Sequence, residues 1–528
     1  MKKKVISSIE AAALVKSGDV LAVQGFIGLA HPEELSTMLE KQFVETGTPR
    51  DLTLLFSAGQ GNGQGIGKGR CTNHYGHKGF VRKIIGGHFN LSPSLGEIIT
   101  ANEVEAYNLP QGVILNMFRN MAANKPGVIT HVGLKTFADP RVEGGKLNSK
   151  TTKDIVKVVK IDGKEYLHYL PFEDINVAFI RGTTADEAGN ITMEKEAALL
   201  EAYHIALAAK RCGGIVVAQV ERLAATGTLP PKDVKVPGML VDYVVIAKPE
   251  YHWQANETFY NPSFSGEVRV PMDSLPPMAL DERKIMARRG AMELTPDSII
   301  NLGIGVPTGV AVVANEEGML DSLTLTLESG PVGGVAAGGG DFGAEYNPTS
   351  IVDHPNMFDF YDAGGLDIAY LGLAQADEDG NINVSKFGTR ISGCGGFVNI
   401  TQNAKKVVFC GTLTTGGLKV EIKDGRLNIL QEGKNKKLVK HVQQITFSGV
   451  YAREVKQPVL YITERAVFEL TADGMILTEI APGVDLEKDV LAQVEFPVKV
   501  SPKLKLMDKR IFDPAVMNMK DEFFAQAK

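Results

Sequence analysis

An acidic residue stands where an apolar run gives way to a glycine-rich turn. Leu323 to Leu327 alternates Leu and Thr, Glu328 follows, and Ser329-Gly330-Pro331-Val332-Gly333-Gly334 comes next. Open α/β sheets gather ligands at the carboxyl ends of their strands, so a carboxylate there is placed to meet a substrate. From the pattern alone, an ion pair or a helix N-cap accounts for Glu328 equally well. A second cluster, Gly393-Cys394-Gly395-Gly396-Phe397, follows Ile391-Ser392. Adjacent glycines let backbone N–H groups converge on a ligand oxygen with no side chain in the way. A plain tight turn uses the same residues.

Other spacings fall short of the chemistry they suggest. Gly67-Lys68 is followed by Gly69 where a phosphate loop needs Ser or Thr, and Asn62 stands where its first Gly belongs. No G-x-G-x-x-G follows a candidate strand, which removes the main support for a nicotinamide dehydrogenase. No G-x-S-x-G elbow is present, which disfavours an α/β-hydrolase. Cys71, His74 and His77 form C-x2-H-x2-H with His88 nearby. A structural zinc site needs four ligands at established spacings, and there is no partner C-x-x-C. The expectation is no metal, with these histidines hydrogen-bonded to backbone in a polar loop. Lys434-Asn435-Lys436-Lys437 reads as a solvated face or as attraction for an anionic cofactor.

The chain that carries these residues has 528 positions, 44% hydrophobic and 22% charged, which is globular composition. Its net charge of −6 argues against a general nucleic-acid binder. The most apolar stretch, Ile299 to Ala314, contains Asn301, Pro307 and Thr308 and is too short to span a bilayer. Met1-Lys2-Lys3-Lys4 is basic, but Ser7-Ser8-Ile9-Glu10 follows instead of an apolar signal core. Four cysteines in so long a chain are no disulfide framework. The reading is a cytoplasmic protein with reduced thiols and no membrane or nucleic-acid partner.

The elements that position the two clusters repeat. A capping box, Ser7 to Glu10, opens a short Ala-rich helix, and Val20 to Val23 reads as a strand before Gly25-Phe26-Ile27-Gly28. Downstream, a helix from about Asp281 to Leu294 precedes the strand Ile299 to Leu302 and Gly303-Ile304-Gly305-Val306-Pro307. Leu52 to Gly59 pairs with Leu323 to Gly330, which sets Ser57 opposite Glu328. The best match pairs Val177 to Ile191 with Ile368 to Ile382, through Ala185-Asp186-Glu187-Ala188-Gly189-Asn190 and Ala376-Asp377-Glu378-Asp379-Gly380-Asn381. The offsets are 278, 271 and 191 residues, so the first copy holds about 80 extra between Gly59 and Val177. Continuous apolar runs such as Ile215 to Ala218 and Val407 to Cys410 are strands buried on both faces of a parallel sheet. The fold class expected is α/β, two related open domains formed by a pseudo-repeat of halves. Residues 1–248 and 280–528 are the halves, with the aperiodic, proline-rich 249–279 as a linker. Leu418 to Leu430 reads as an antiparallel hairpin through Asp424-Gly425.

Several of these residues resemble a known family. Leu327-Glu328-Ser329-Gly330 resembles the active-site glutamate motif of the family I coenzyme A transferases, usually S-E-N-G, and Gly393-Cys394-Gly395-Gly396 resembles their G-x-G-G motif. Pro110-Gln111-Gly112 resembles their P-Q-G motif, and Gly25-Phe26-Ile27-Gly28 and Asn301-Leu302-Gly303-Ile304-Gly305 their paired glycine loops. The resemblance runs from Val5 to about Met507 and is strongest to the single-chain acetate/propionate members. Ala106-Tyr107-Asn108, Asp139-Pro140-Arg141, Gly365-Leu366-Asp367 and Tyr461 to Ala466 read like that subfamily. Ser329 departs from the usual Asn, a change that these members tolerate.

The resemblance implies the CoA-transferase (NagB/RpiA-like) fold, a homo-oligomer of dimer or tetramer type, no permanently bound cofactor and no metal, with coenzyme A as substrate. It implies transfer of coenzyme A between short-chain acyl-CoA thioesters and free carboxylates. Glu328 is then the nucleophile, a carboxylate ionised at neutral pH that needs no histidine base. Gln111 and the Gly396 N–H are the oxyanion donors. Gly25, Phe26, Gly28, Gly303, Gly305 and Gly395 belong to substrate- and CoA-binding loops. Two other readings remain: an acyl-CoA hydrolase on the same scaffold, and a non-catalytic ligand sensor. The sensor lacks an expected DNA-binding segment, since neither a helix-turn-helix pattern nor a basic domain occurs.

Overall fold

The computed structural model describes residues 4–271 and 278–526. The basic start at 1–3 and residues 272–277 of the proline-rich stretch lie outside the described residues. Contacts divide the chain into two compact units whose limits are not those of the two sequence halves. Unit 1 is Met1–Val270 with Leu327–Asp359 and Phe387–Asn399, and unit 2 is Pro271–Thr326, Phe360–Lys386 and Ile400–Lys528.

Unit 1 opens with α1 (Ser8–Leu14), whose capping box is formed: Ser7 Oγ accepts the Glu10 N–H at 3.2 Å and Glu10 returns a bond to the Ser7 N–H at 2.8 Å. Seven strands follow: β1 (Val20–Val23), β2 (Leu52–Phe56), β3 (Val81–Gly86), β4 (Glu105–Asn108), β5 (Val177–Arg181), β6 (Ile215–Val220) and β7 (Tyr243–Ile246). They pair in the order β7-β6-β5-β1-β2-β3-β4, all parallel. Every residue of β1, β2 and β5 is buried, because helices cover both faces. Those helices include α2 (Glu33–Thr46), α3 (Pro93–Thr100), α4 (Gln111–Ala122) and α5 (Ala202–Arg211). The strand order reverses at β1, and the crevice beyond the carboxyl ends there is where such sheets hold ligands.

Unit 2 contains α6 (Glu282–Ala291), β8 (Ile299–Leu302), α7 (Gly309–Glu316), β9 (Thr324–Thr326), β10 (Ile368–Gly372), β11 (Lys406–Cys410) and β12 (Val459–Ile462). The strands β9-β8-β10-β11-β12 are parallel neighbours in that order. This is the order of β2-β1-β5-β6-β7 in unit 1, so the repeat read in the sequence is a repeat of topology. β13 (Ala466–Thr471) and β14 (Gly474–Ile480) extend the sheet antiparallel, and β15 (Lys499–Leu506) closes it. Two further helices, α8 (His354–Asp362) and α9 (Phe397–Asn403), follow in chain order within the second half.

The best-matching segments carry the same turn chemistry. Asp186 accepts both the backbone and side-chain N–H of Asn190 at 2.9 Å, and Asp377 does the same for Asn381 at 3.1 Å. The extra chain of the first copy supplies β3, β4, α3, α4 and a three-stranded antiparallel sheet. The expected hairpin forms between Lys419–Lys423 and Arg426–Gln431, with Asp424 and Gly425 both left-handed (φ 53° and 70°). The aperiodic stretch after Pro249 is packed into unit 1. His252, Gln254, Ala255, Ser263 and Phe264 are buried, and Asn256 fills the space beside Gly28.

Candidate active site

The Gly393–Gly396 loop is tied to the carboxyl ends of β3 and β4. Asn108, the last residue of β4, is fully buried and brackets the loop: its Oδ1 accepts the Cys394 N–H at 3.0 Å, while its Nδ2 donates to the Gly86 and Gly87 carbonyls at 2.9 and 2.6 Å. Gly395, left-handed at φ 53°, donates its N–H to the Gly87 carbonyl at 2.8 Å. The Gly395 carbonyl accepts the backbone N–H of Gln111 at 3.0 Å. The Gly396 N–H forms no backbone hydrogen bond among the described residues. In a planar trans peptide the C=O and the following N–H point opposite ways, so the bond from Gln111 aims the Gly396 N–H away from Gln111's backbone.

Glu328 lies against that glycine. A β-carbon on Gly396 would overlap Glu328 Oε2, an oxygen that is fully buried and has no hydrogen-bond partner. Burial pushes the Glu328 carboxyl up to about 7, with the Gly396 N–H pulling the other way. The expectation of a carboxylate fully ionised at neutral pH is therefore corrected: near pH 7 the group stands at its midpoint. Ser329 is buried and donates its hydroxyl to the Gly343 carbonyl at 2.6 Å, which pins the turn after Glu328. A second buried carboxyl on the same segment, Glu345, is pushed by burial up to about 8; its Oε2 accepts the Gly334 N–H at 3.0 Å and its Oε1 has no partner.

Gln111 is the first residue of α4, 1% exposed, and its Oε1 lies 3.6 Å from where a β-carbon on Gly395 would stand. Its Nε2 lies 2.8 Å from His354 Nε2. His354 Nδ1 in turn lies 2.9 Å from Glu201 Oε2, and Ser57 Oγ donates to Glu201 Oε1 at 3.0 Å. Sequence reasoning missed Glu201 and His354. They are 153 positions apart, and Glu201, just before an Ala-rich helix, has the look of a cap that its side chain does not make.

The first glycine loop is closed by packing. A β-carbon on Gly25 would meet the Gln60 side chain and one on Gly28 the Asn256 side chain, while Phe26 stands edge-on to His354 at 5.7 Å between centroids. In unit 2, Gly303 abuts the end of β10, and Gly305 (φ 93°) has open space around it beside the exposed Ile304. Lys437 of the basic run turns inward toward Gly411, and burial lowers its pKa to about 8, with Glu464 opposing. His74 and His77 hydrogen-bond carboxylates where backbone partners were expected. His74 bridges Glu40 at 2.6 Å and Glu33 at 3.0 Å, and His77 meets Glu40 at 2.6 Å. Burial alone would lower His74, but the two carboxylates push it up to about 9. Nearby, His31, Glu33 and Cys71 come close enough for a metal. Their donor atoms are already held: His31 by Gln60 and Ser36, and Glu33 by the Cys71 N–H and His74.

A glutamate with a bare oxygen, an amide side chain and a backbone N–H turned to that glutamate can together form and stabilise an acyl adduct. The family model of coenzyme A transferase matches residues 5–247. The caffeate CoA-transferase of Acetobacterium woodii is 48% identical over 96% of this chain and 97% of its own. The chain belongs to the coenzyme A transferase family. The acetate CoA-transferase YdiF of Escherichia coli K12 is 43% identical over 97% of this chain and 96% of its own. The crystal structure of the Escherichia coli O157:H7 acyl-CoA transferase (YdiF) in a thioester complex with CoA superposes with a TM-score of 0.90. It is 42% identical and covers 98% of this chain and 97% of its own. The transferase moves coenzyme A between acyl-CoA and carboxylates. No helix among the described residues is long and apolar enough to cross a membrane.

Proposed function

We propose that Glu328 carries coenzyme A between short-chain carboxylic acids as a glutamyl thioester. The observation that supports this reading most is the partnerless, buried Glu328 Oε2 against Gly396. Ionised Glu328 attacks the thioester carbonyl, and the tetrahedral oxyanion collapses to an acyl-glutamyl anhydride with release of the CoA thiolate. The thiolate attacks the glutamyl carbonyl, forms the glutamyl-CoA thioester and expels the first acid. A second carboxylate then runs the steps in reverse. The Gln111 amide and the Gly396 N–H receive the oxyanions. Atoms balance with no ATP, because the thioester bond is conserved on the enzyme. Burial of Glu328 Oε2 limits the access of water to both intermediates. We assign the Gly303–Gly305 loop and Lys437 to coenzyme A binding, and the functional particle is a cytoplasmic dimer or tetramer.

Borohydride reduces thioesters and spares carboxylates. Enzyme incubated with acyl-CoA alone should be inactivated, with the modification on the Glu328 peptide, and acetate should protect. Inactivation without acyl-CoA, or labelling of Glu345 or Glu378, would remove the assignment. Initial-rate plots should be parallel, as a ping-pong scheme requires. An aromatic propenoic acid such as caffeate is the second reading for the acid, favoured by the relative from Acetobacterium woodii. A panel of C2 to C6 acids with caffeate, read by mass spectrometry, separates the two. Product analysis with and without acetate tests hydrolysis.

A further inference from the structure

Behind Gln111 lies a line of buried polar groups that the scheme above leaves idle. Ser57, Glu201 and His354 are each 0% exposed. Glu201 Oε1 receives the Ser57 hydroxyl at 3.0 Å and the Gly25 N–H at 3.4 Å. Glu201 Oε2 meets His354 Nδ1 at 2.9 Å, and His354 Nε2 meets Gln111 Nε2 at 2.8 Å. The rings of Phe26 and Phe358 pack on His354 at 5.7 and 5.6 Å. An imidazole so enclosed keeps one orientation.

The direction of each bond follows from what each group is able to give. A carboxylate only accepts. Its partner Nδ1 therefore carries an imidazole proton, and Nε2, which faces the Gln111 Nε2 at 2.8 Å, is the accepting nitrogen. That nitrogen accepts only from an N–H, so the Gln111 amide presents its NH2 group there. One N–H of that group is held by His354, and the other remains available to a developing oxyanion. Reversed by rotation about its last torsion, the amide would offer a carbonyl oxygen and repel the same charge. The two ends of an amide are nearly equal in size, so packing alone chooses weakly between them.

We propose that Glu201 and His354 are positioning residues that fix which end of the Gln111 amide faces the reacting carbonyl. The proposal rests on the reading of Gln111 as an oxyanion donor. It gives Ser57 a place as well: the first-copy counterpart of Glu328 anchors the relay that serves Glu328.

The test is Glu201→Gln, which changes shape little. The Gly25 N–H can only donate, so the new amide turns its oxygen there and its NH2 toward Nδ1. The imidazole proton then moves to Nε2, and Gln111 turns its carbonyl to meet it. Turnover is expected to fall about a hundredfold, as for loss of one oxyanion donor, with KM for acyl-CoA within about twofold. In a Gln111→Ala background the same change should cost no more than about twofold. Ser57→Ala, a milder cut to the relay, should lower turnover about fivefold and be masked in the same background. Melting temperature and oligomer size check that each variant is folded. Equal losses with and without Gln111, or unchanged turnover in both relay variants, would overturn the relay and leave Gln111 as donor. Full turnover in Gln111→Ala alone would overturn the donor reading and the relay with it.

Discussion

Oε2 of Glu328 fills the space that a side chain at Gly396 would need. A β-carbon there would also press on the Phe358 ring. Gly396→Ala is expected to displace the carboxylate from the one N–H that faces it and to lower turnover about a hundredfold or more. Steady-state CoA exchange between two acids checks this. Wild-type turnover would mean that the carboxylate reacts from another position.

The midpoint of Glu328 near 7 has a kinetic signature. Only the ionised form attacks, and its share is about one in ten at pH 6 and about nine in ten at pH 8. Loading of the enzyme from acyl-CoA, followed by rapid quench, should rise about tenfold between those values and then level. A flat profile would show that substrate binding ionises the group beforehand.

The same shift has a sign for stability. The folded value, about 7, lies above the reference of 4.5, so the native chain holds the extra proton between them. Stability therefore declines as pH rises through that window, and the loss is complete above it. Glu328→Gln removes the charge and should melt higher than wild type by about 1–3 °C at pH 8, with the difference fading at pH 4.5. Glu345→Gln should behave alike over a window that extends to about 8. Calorimetry across pH reads both.

Asn108 makes three bonds that join the Gly393–Gly396 loop to β3 and β4. Asn108→Ala leaves the buried Cys394 N–H without its partner, at a cost of about 1–3 kcal/mol, and takes one of their partners from the Gly86 and Gly87 carbonyls. Melting temperature and turnover should fall together, because the loop that carries the Gly396 N–H is released.

The repeat was legible because buried parallel strands are written as continuous apolar runs and because each copy keeps the same Asp–Asn turn, Asp186 with Asn190 and Asp377 with Asn381. Glu328 and the Gly393–Gly396 cluster stood out for the same reason, a polar or glycine break at the end of such a run. Gln111 came only through resemblance. Glu201 and His354 were hidden, since their partnership is made by the fold across 153 positions and neither neighbourhood marks it. The stretch after Pro249 was read as a linker because irregular backbone has no period, yet Ala255 and Phe264 are completely buried. Ionisation was misjudged because a residue's type gives its pKa in water, and burial is set by distant chain.

The peptide between Gly395 and Gly396 accepts the Gln111 N–H on one side and presents its own N–H on the other. Rotating it would break the bond from Gln111, so the donor is aimed before any substrate arrives. The first turnover does not have to wait for this peptide to turn. Stopped-flow traces of thiolate release should begin at full speed on mixing, with no lag, and the amplitude of that opening burst should count one reaction centre per chain.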